Sequence, residues 1–548
     1  MCIMNNIRQP KQDITLKLLS VAGEMYPFIK TGGLGDVVGS LPAVFEHHGI
    51  ETRTILPGYP QVLRALPEDH ETVRFDNVLG YGVTLHEGWA QGRYLYVVDV
   101  PELYTRSGNP YLAPDGRPWS DNGIRYAVLC RMAALIAAGE LEDWAPDAVL
   151  SHDWHAGLVA TYLKYMDRPT PPVAHVIHNL AFQGLFPRDM MRRFGLPDKA
   201  YDSGDVEYYG QIGFMKAALQ VSHRLISVSP TYAEEIQTAE EGMGLEGILR
   251  ARADVLTGIL NGIDLHEWNP LTDPSVFFPY AVGDLTARRA NKRVFQAEFG
   301  LPQKPDALLL GMVSRLTTQK GADLLAQLAP RLFEDNIQLA VVGTGDRDIM
   351  QAFAQLQGRY PKNCVCHLRY SETLGHRLHS AVDASLIPSR FEPCGLTQFH
   401  ALRDGSIPIA ARVGGLSDTI VDANSAAVTE GVANGILFSP TNVDTMLLAI
   451  RRAQSLFQQK AVWARMQRNG ALHDVSWTSK GAQYARLLLE MTGRRPLVRE
   501  VDNAIAPRRG DPMSSEPRSA RNAARMPKSR NGDQVSSILP FPRTGTRA

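Results

Sequence analysis

The chain reads as an α/β protein made of two Rossmann-like, doubly wound domains facing each other across a cleft. Three observations predict this. Short apolar runs alternate with amphipathic helical patterns in two successive series, about Ile14 to Leu265 and Ala307 to Ala411; such alternation builds parallel sheets with helices on both faces. A polar, Pro-containing connection, Asn269-Pro270-Leu-Thr-Asp273-Pro274 to about Lys292, separates the two series. At 548 residues the chain is too long for one ordinary core. The expected layout is a tail over 1–13, a first domain over 14–268, a second over 269–476, a returning helix over 477–493 and a tail over 494–548.

In the first series the strand-like runs are Ile14–Val21, Thr52–Leu56, Tyr94–Val100, Ala148–Ser151, Val173–Ile177 and Arg224–Val228. Between them lie helical patterns at Val37–Phe45, Ile124–Ala138, Ala156–Tyr165 and Gly213–Gln220. The stretch Glu68–Tyr126, with hairpin-like Gly and aromatic content, breaks the rhythm and reads as an insertion with loops over the site. The second series has strands at Ala307–Val313, Gln338–Val342, Val365–Leu368, Ala384–Pro388 and Ile407–Ala411. Its helices are Ala322–Leu332, Arg347–Leu356, Leu374–Ala381 and Thr397–Leu402. Ligands of such folds bind beyond the carboxyl ends of the strands, so two domains face to face create a cleft lined by strand-end loops. From Arg494 onward the chain carries 12 Lys plus Arg against 5 Asp plus Glu, with few large apolar residues before Ile538. A disordered, solvated tail and a basic arm for anionic partners both fit that composition.

Apolar content of 44% and charged content of 21% belong to a globular protein, and a formal net charge of zero gives no global field pointing to nucleic acid. Five cysteines are too few and odd for a disulfide framework. Met1–Thr15 has no apolar signal core, and no run of about 18 apolar residues predicts a membrane span. The expected compartment is cytoplasmic. Nothing in the chain speaks to oligomeric state.

The residues that can carry chemistry stand at strand ends. Lys30-Thr-Gly32-Gly33-Leu-Gly35-Asp36 joins the first strand to a helix. Its glycines admit a ligand to the backbone, the helix start offers free N–H groups, and Lys30 adds a positive charge. A plain glycine-softened turn fits the spacing equally well. His152-Asp-Trp-His155 and His175-Val-Ile-His178-Asn179 follow two further strands. A metal site, buried hydrogen-bonded histidines with Asp153 orienting one ring, and polar substrate contacts all remain open for them. Asn261-Gly-Ile-Asp264 reads as a turn closing the first domain, and Gly242-Met-Gly244-Leu-Glu246-Gly247 as a mobile loop that hinges or covers the cleft. Arg315 and Lys320 flank the loop after the strand ending at Val313, two cations suited to a diphosphate, or else an exposed basic loop. Gly343-Thr-Gly345-Asp346 is a weak nucleotide-style turn. Glu392, in Ser-Arg-Phe-Glu392-Pro-Cys-Gly395-Leu396-Thr397-Gln, precedes a helix start. It reads either as a carboxylate for sugar hydroxyls or a cationic glycosyl centre, or as an N-terminal cap.

Taken together, the Lys30 loop, His152–His155, Val313-Ser-Arg315 with Lys320-Gly321, and Glu392 to Gln398 stand in the order found in bacterial glycogen synthases and plant starch synthases. The resemblance spans about Leu16 to Leu489. It implies a retaining glycosyltransferase of the GT-B type that moves glucose from ADP-glucose to the non-reducing 4-hydroxyl of an α-1,4-glucan, with no cofactor and no metal. On the matching positions it implies that Lys30, Gly32, Gly33, Gly35, Arg315, Lys320, Gly395, Leu396 and Thr397 bind the donor and that Tyr370 meets the nucleobase. Glu392, His155, Lys320 and Arg315 carry the catalysis. Asp36, His178, Asn179 and Asn261 are expected at the acceptor or sugar. The chain departs from the family with Gly35 in place of Ala, with Phe399-His400, and with Asp404-Gly-Ser-Ile-Pro408 where Tyr-Gly-Thr-Xaa-Pro is usual. Alternatives on the same residues are another donor such as UDP-glucose, a glycan-binding protein without turnover, and a dehydrogenase. The last lacks the full Gly-x-Gly-x-x-Gly with its later acidic residue. With one clear carboxylate, front-side attack is the expected route to retention.

Overall fold

The computed structural model describes residues 15–494 apart from Glu142 and Tyr370. The two terminal tails, and with them the basic-arm reading, lie outside the described residues, as does the expected nucleobase contact Tyr370.

The first half forms a nine-stranded sheet from β1 (Leu16–Val21), β2 (Ile50–Pro57), β3 (Glu71–Val78), β4 (Tyr81–Ala90), β5 (Arg93–Asp99), β6 (Ala148–His152) and β7 (Val173–Ile177), together with β11 (Arg224–Ser227) and β12 (Leu256–Gly258). Their order is β12-β11-β7-β6-β1-β2-β5-β4-β3. Every pairing from β12 to β5 is parallel, whereas β4 and β3 run antiparallel at the edge. The expected insertion over Glu68–Tyr126 therefore contributes three strands, β3, β4 and β5, to the sheet. A hairpin continues the main sheet, and the loop ahead of the helix Asn122–Ala137 reaches the site together with Tyr126 of that helix. The intervening β8 (Leu185–Pro187), β9 (Glu207–Tyr208) and β10 (Gln211–Gly213) make a separate antiparallel ribbon, β8-β10-β9.

The second half forms an all-parallel sheet of β13 (Leu308–Val313), β14 (Ile337–Val342), β15 (Cys364–His367), β16 (Ala384–Ile387), β17 (Ile407–Ala411) and β18 (Ile436–Phe438) in the order β15-β14-β13-β16-β17-β18. Central strands of such a sheet are covered on both faces, which is why β14, Ile-Gln-Leu-Ala-Val-Val, is buried along its whole length. The short β18 has no alternation of its own and escapes a periodicity reading.

The stretch read as a linker is bound to the second lobe. Trp268 lies between two imidazoles, His400 at 3.4 Å and His376 at 3.9 Å between ring centroids. His376 in turn pairs with Asp273 at 2.6 Å. Arg288 is buried and donates to the backbone carbonyls of His379, Val382 and Asp404. The departures at His400 and Asp404 thus have a local role: the first stacks on Trp268, and the backbone of the second is tied to Arg288 and Tyr280. The last helix, Thr478–Met491, lies on the helix Gly33–Glu46, with Tyr484 edge-on to Phe45 at 6.2 Å and Gly481 against Val44. No helix among the described residues is long and apolar enough to cross a membrane.

Candidate active site

The loop after β1 is drawn tight by Glu24, whose buried carboxylate accepts the Thr31 N–H at 2.6 Å. Burial pushes the Glu24 carboxyl up to about 7. Gly32 then opens the helix Gly33–Glu46 without a side-chain cap, and its backbone carbonyl takes only the Gly35 N–H among the described residues, at 3.2 Å. Lys30 Nζ lies 2.7 Å from Asp36 Oδ1 and 3.4 Å from Glu372 Oε1, the second of these in the other lobe. Asp36 is raised to about 6, chiefly by burial, with Lys30 opposing. Gly33 meets the other lobe too: a Cβ there would stand 3.3 Å from Leu396 Cδ1.

At the end of β6 the backbone of Asp153 takes φ +53°, a left-handed conformation that costs on the order of 1–3 kcal/mol for a residue with a side chain. Its carboxylate offsets that by accepting the backbone N–H of His178 at 2.8 Å and of Asn179 at 3.3 Å. Asp153 therefore anchors backbone and does not orient a histidine ring. The histidines hold one another instead. His152 Nδ1 is 3.0 Å from His178 Nε2, and His175 Nδ1 is 2.9 Å from Ser151 Oγ. Burial lowers His155, His175 and His178 to about 3, which makes them neutral imidazoles. His155 sits in an aromatic box of Tyr111 at 4.5 Å, Trp154 at 4.4 Å and Tyr126 at 4.9 Å, and its Nδ1 has no hydrogen-bond partner among the described residues. Asn261 is buried, and its Oδ1 also has none.

In the second lobe the loop after β13 brings Lys320 to Glu392, Nζ to Oε2 at 2.5 Å, and Ser389 Oγ donates to the same oxygen at 2.8 Å. Gly321, at φ +67°, allows this: a Cβ there would land on the Pro388 carbonyl oxygen, so only glycine lets the loop lie against the end of β16. Gly343 and Gly345 press similarly on the carbonyls of Ser314 and Leu316, which gives the nucleotide-style turn a packing cause. Arg315 is exposed and reaches Gln319 at 3.5 Å. Glu392 does not cap the helix Thr397–Arg403, whose N-cap is Leu396 and has no side-chain cap bond. The capping alternative for Glu392 is thereby set aside.

Two groups of expected residues are brought together: Lys30, Asp36 and Gly33 with Leu396, and Lys320 with Glu392. Arg315 is exposed in the Lys320 loop, with Gln319 as its side-chain partner among the described residues. The His152–His178 cluster does not converge on a metal. Among the described residues the one group of His, Cys, Asp and Glu side chains with ligand atoms within 4.8 Å of one another is Glu267, Glu372 and His376. Its members already contact Lys30 and Asp273. Sequence reading missed Glu372, Ser389 and the Tyr111–Tyr126 box, because none carries a spacing signal. The Gly242–Gly247 loop, expected to be mobile, is tied down where Gln183 Nε2 and the Tyr208 hydroxyl both donate to Met243 O, at 3.0 and 3.3 Å.

Residues 17–251 match the starch synthase catalytic domain model, and residues 295–469 match glycosyl transferases group 1. A glycogen synthase of Rhodopseudomonas palustris is 46% identical over 481 residues, covering 88% of this chain and all of that protein. The solved catalytic domain of starch synthase IV from Arabidopsis thaliana, bound to ADP and acarbose, superposes with TM-score 0.78 at 29% identity, covering 87% of this chain and all of that one. Sucrose-phosphate synthase from Thermosynechococcus elongatus, at TM-score 0.54 and 14% identity, shares the fold. The two sheets with strand-end loops meeting across one cleft are thus a GT-B glycosyltransferase, and the chain belongs to the glycogen synthase family.

Proposed function

We propose that the chain elongates an α-1,4-glucan by transferring glucose from ADP-glucose to the non-reducing 4-hydroxyl, with retention of anomeric configuration and release of ADP, in the cytoplasm. The observation that carries this is the approach of Gly33 and Lys30 in one lobe to Leu396 and Glu372 in the other, beside the Lys320–Glu392 pair. Breaking the bond from C1 to the diphosphate builds negative charge on the leaving group and positive charge on the sugar. Lys30, Lys320 and Arg315 supply cations for the first, with the backbone of Gly32, Gly33, Gly35, Gly395, Leu396 and Thr397 lining the donor. Glu392, buried and held by Ser389 and Lys320, faces the second. On donor binding Lys320 turns from Glu392 to phosphate. The acceptor 4-hydroxyl attacks C1 on the face the diphosphate leaves, and its proton passes to the departing phosphate oxygen. Neutral His155, with an unpartnered Nδ1, offers a hydrogen bond to a sugar hydroxyl without adding charge next to the cationic glycosyl centre. Asp36, His178, Asn179 and Asn261 are assigned to the sugar or acceptor side, and Tyr370 to the nucleobase.

The test is transfer of labelled glucose to a glycogen primer with ADP-glucose and UDP-glucose side by side. Incorporation from ADP-glucose well above that from UDP-glucose is the expected result. Preference for UDP-glucose overturns the donor, and incorporation from neither overturns the reaction.

A further inference from the structure

Glu392 is held from two sides, and its own lobe supplies one of them. Its side chain is fixed within the second lobe by Lys320 and Ser389. Its main chain is gripped by the first lobe. The helix Pro230–Glu235, which follows β11, reaches the stretch Glu392–Cys394 from both of its ends. At the start Ser229 Oγ, fully buried, donates to Pro393 O at 2.7 Å. At the other end Glu235 Oε1 accepts the Gly414 N–H at 2.9 Å. Gly414 and Gly415 carry that contact on to Glu392. A Cβ on Gly414 would land on the Glu392 carbonyl oxygen, and one on Gly415 on that of Cys394, so the two glycines lie flat against the peptide groups around Pro393. The Gly415 N–H is shared between the carbonyls of Glu392 and Pro393, at 3.2 and 3.3 Å. Cys394 is itself buried, in one apolar cluster with Val228 and Ile259 of the first lobe.

We propose that Glu235 is a positioning residue: through Gly414 and Gly415 it keeps the main chain of Glu392 in place, so that the first lobe supports an acid which the second lobe carries. The inference rests on the role given to Glu392 in the function proposed above. In that reaction Lys320 turns to phosphate when the donor binds, which leaves Ser389 alone on the Glu392 carboxylate. The aim of the carboxylate then depends on its backbone. A group facing a reacting centre must be held to within about 0.5 Å by packing and by hydrogen bonds behind it. Glu235 supplies such a bond at a cost, because its Oε2 is buried without a hydrogen-bond partner among the described residues. The same helix steadies the segment after Gly415 as well, where Thr231 bonds Asp418.

Glu235→Ala removes the acceptor, and Glu235→Gln keeps one. Hydrogen exchange of the full chain, read by mass spectrometry on peptides covering 388–398 and 412–420, needs no substrate. Exchange in both peptides is expected to be about 10-fold faster in the Ala variant and parent-like in the Gln variant. In the transfer assay Glu235→Ala should lower kcat by roughly 10- to 100-fold, with KM for the nucleotide sugar and affinity for ADP within about 2-fold of the parent. Glu235→Gln should restore most of kcat. On the residual turnover of Glu392→Gln, adding Glu235→Ala should cost nothing more, since a residue that acts through Glu392 then has nothing left to place. Parent-like exchange in Glu235→Ala overturns the proposal. So does a fall in ADP affinity that matches the fall in kcat, or a full further loss in the Glu392→Gln background. If the parent transfers glucose from neither donor, the proposed function falls, while hydrogen exchange still decides whether Glu235 holds the segment.

Discussion

Lys320 and Glu392 lie 2.5 Å apart, so the cation assigned to the leaving diphosphate pairs with the carboxylate assigned to the sugar. Removing one partner of such a pair strands the other in a poorly solvated place. Lys320→Ala is expected to weaken ADP binding about 10-fold and lower kcat by roughly 10² to 10³. Titration calorimetry with ADP checks the first, and an unchanged affinity would remove Lys320 from the clamp. Glu24 gives a second test at this scale. Its folded value of about 7 exceeds the ordinary 4.5 because burial penalises the charge. Below about 4.5 the carboxyl is protonated in both folded and unfolded chain, and nothing is lost. As pH rises through 7 the folded chain must carry a buried charge, at a cost on the order of 3 kcal/mol. Glu24→Gln keeps an acceptor for the Thr31 N–H. It should raise the urea midpoint at pH 8, with the gain shrinking to nothing near pH 4.

Among the elements, the last helix shows how packing decides stability where local signals are weak. Tyr484 is fully buried against Phe45, and Gly481 lets the helix Thr478–Met491 sit close to Val44. Tyr484→Ala is expected to cost about 3–5 kcal/mol, read from chemical denaturation, while leaving KM for the donor near the parent value. The strands Val173–Ile177 and Ile407–Ala411 and the helix Ala322–Leu332 were legible in the sequence to the residue, because each is a run whose period and ends agree. The joining of the β3–β4 hairpin to the main sheet was not. Its pairing partner is the edge of a parallel sheet, a non-local fact that no window contains. In the site, Lys30, Lys320 and Glu392 were legible because glycines and prolines mark the loops that carry them. Glu372 and Tyr111 were not, since each reaches the site through tertiary contact alone. The histidines stood out in sequence, but their pairing, His152 to His178 and His175 to Ser151, is set by strand register.

Across the whole molecule the lobes meet along a second line away from the glycine loop. Ser229 Oγ donates to Pro393 O at 2.7 Å, and Thr231 gives its N–H and hydroxyl to Asp418 at 3.0 and 2.7 Å. Asp418→Ala removes the acceptor of both Thr231 bonds. Small-angle scattering of that variant without ligand should give a larger radius of gyration than the parent, and addition of ADP should bring it back. Identical curves in all four samples would show that these contacts do not set the spacing of the lobes. The chain passes between the lobes twice, and the two passages run side by side: Ile263 N–H donates to Val475 O at 2.9 Å, and Gly262 packs on Ser476. A single tether lets two bodies swivel in any sense, whereas two fastened together act like the adjacent knuckles of one door hinge, free to swing and stiff to twist. In the proposed reaction, any opening that releases spent nucleotide or admits a longer polymer would therefore bring the two walls back in register, and the reacting groups would need no search to find one another again.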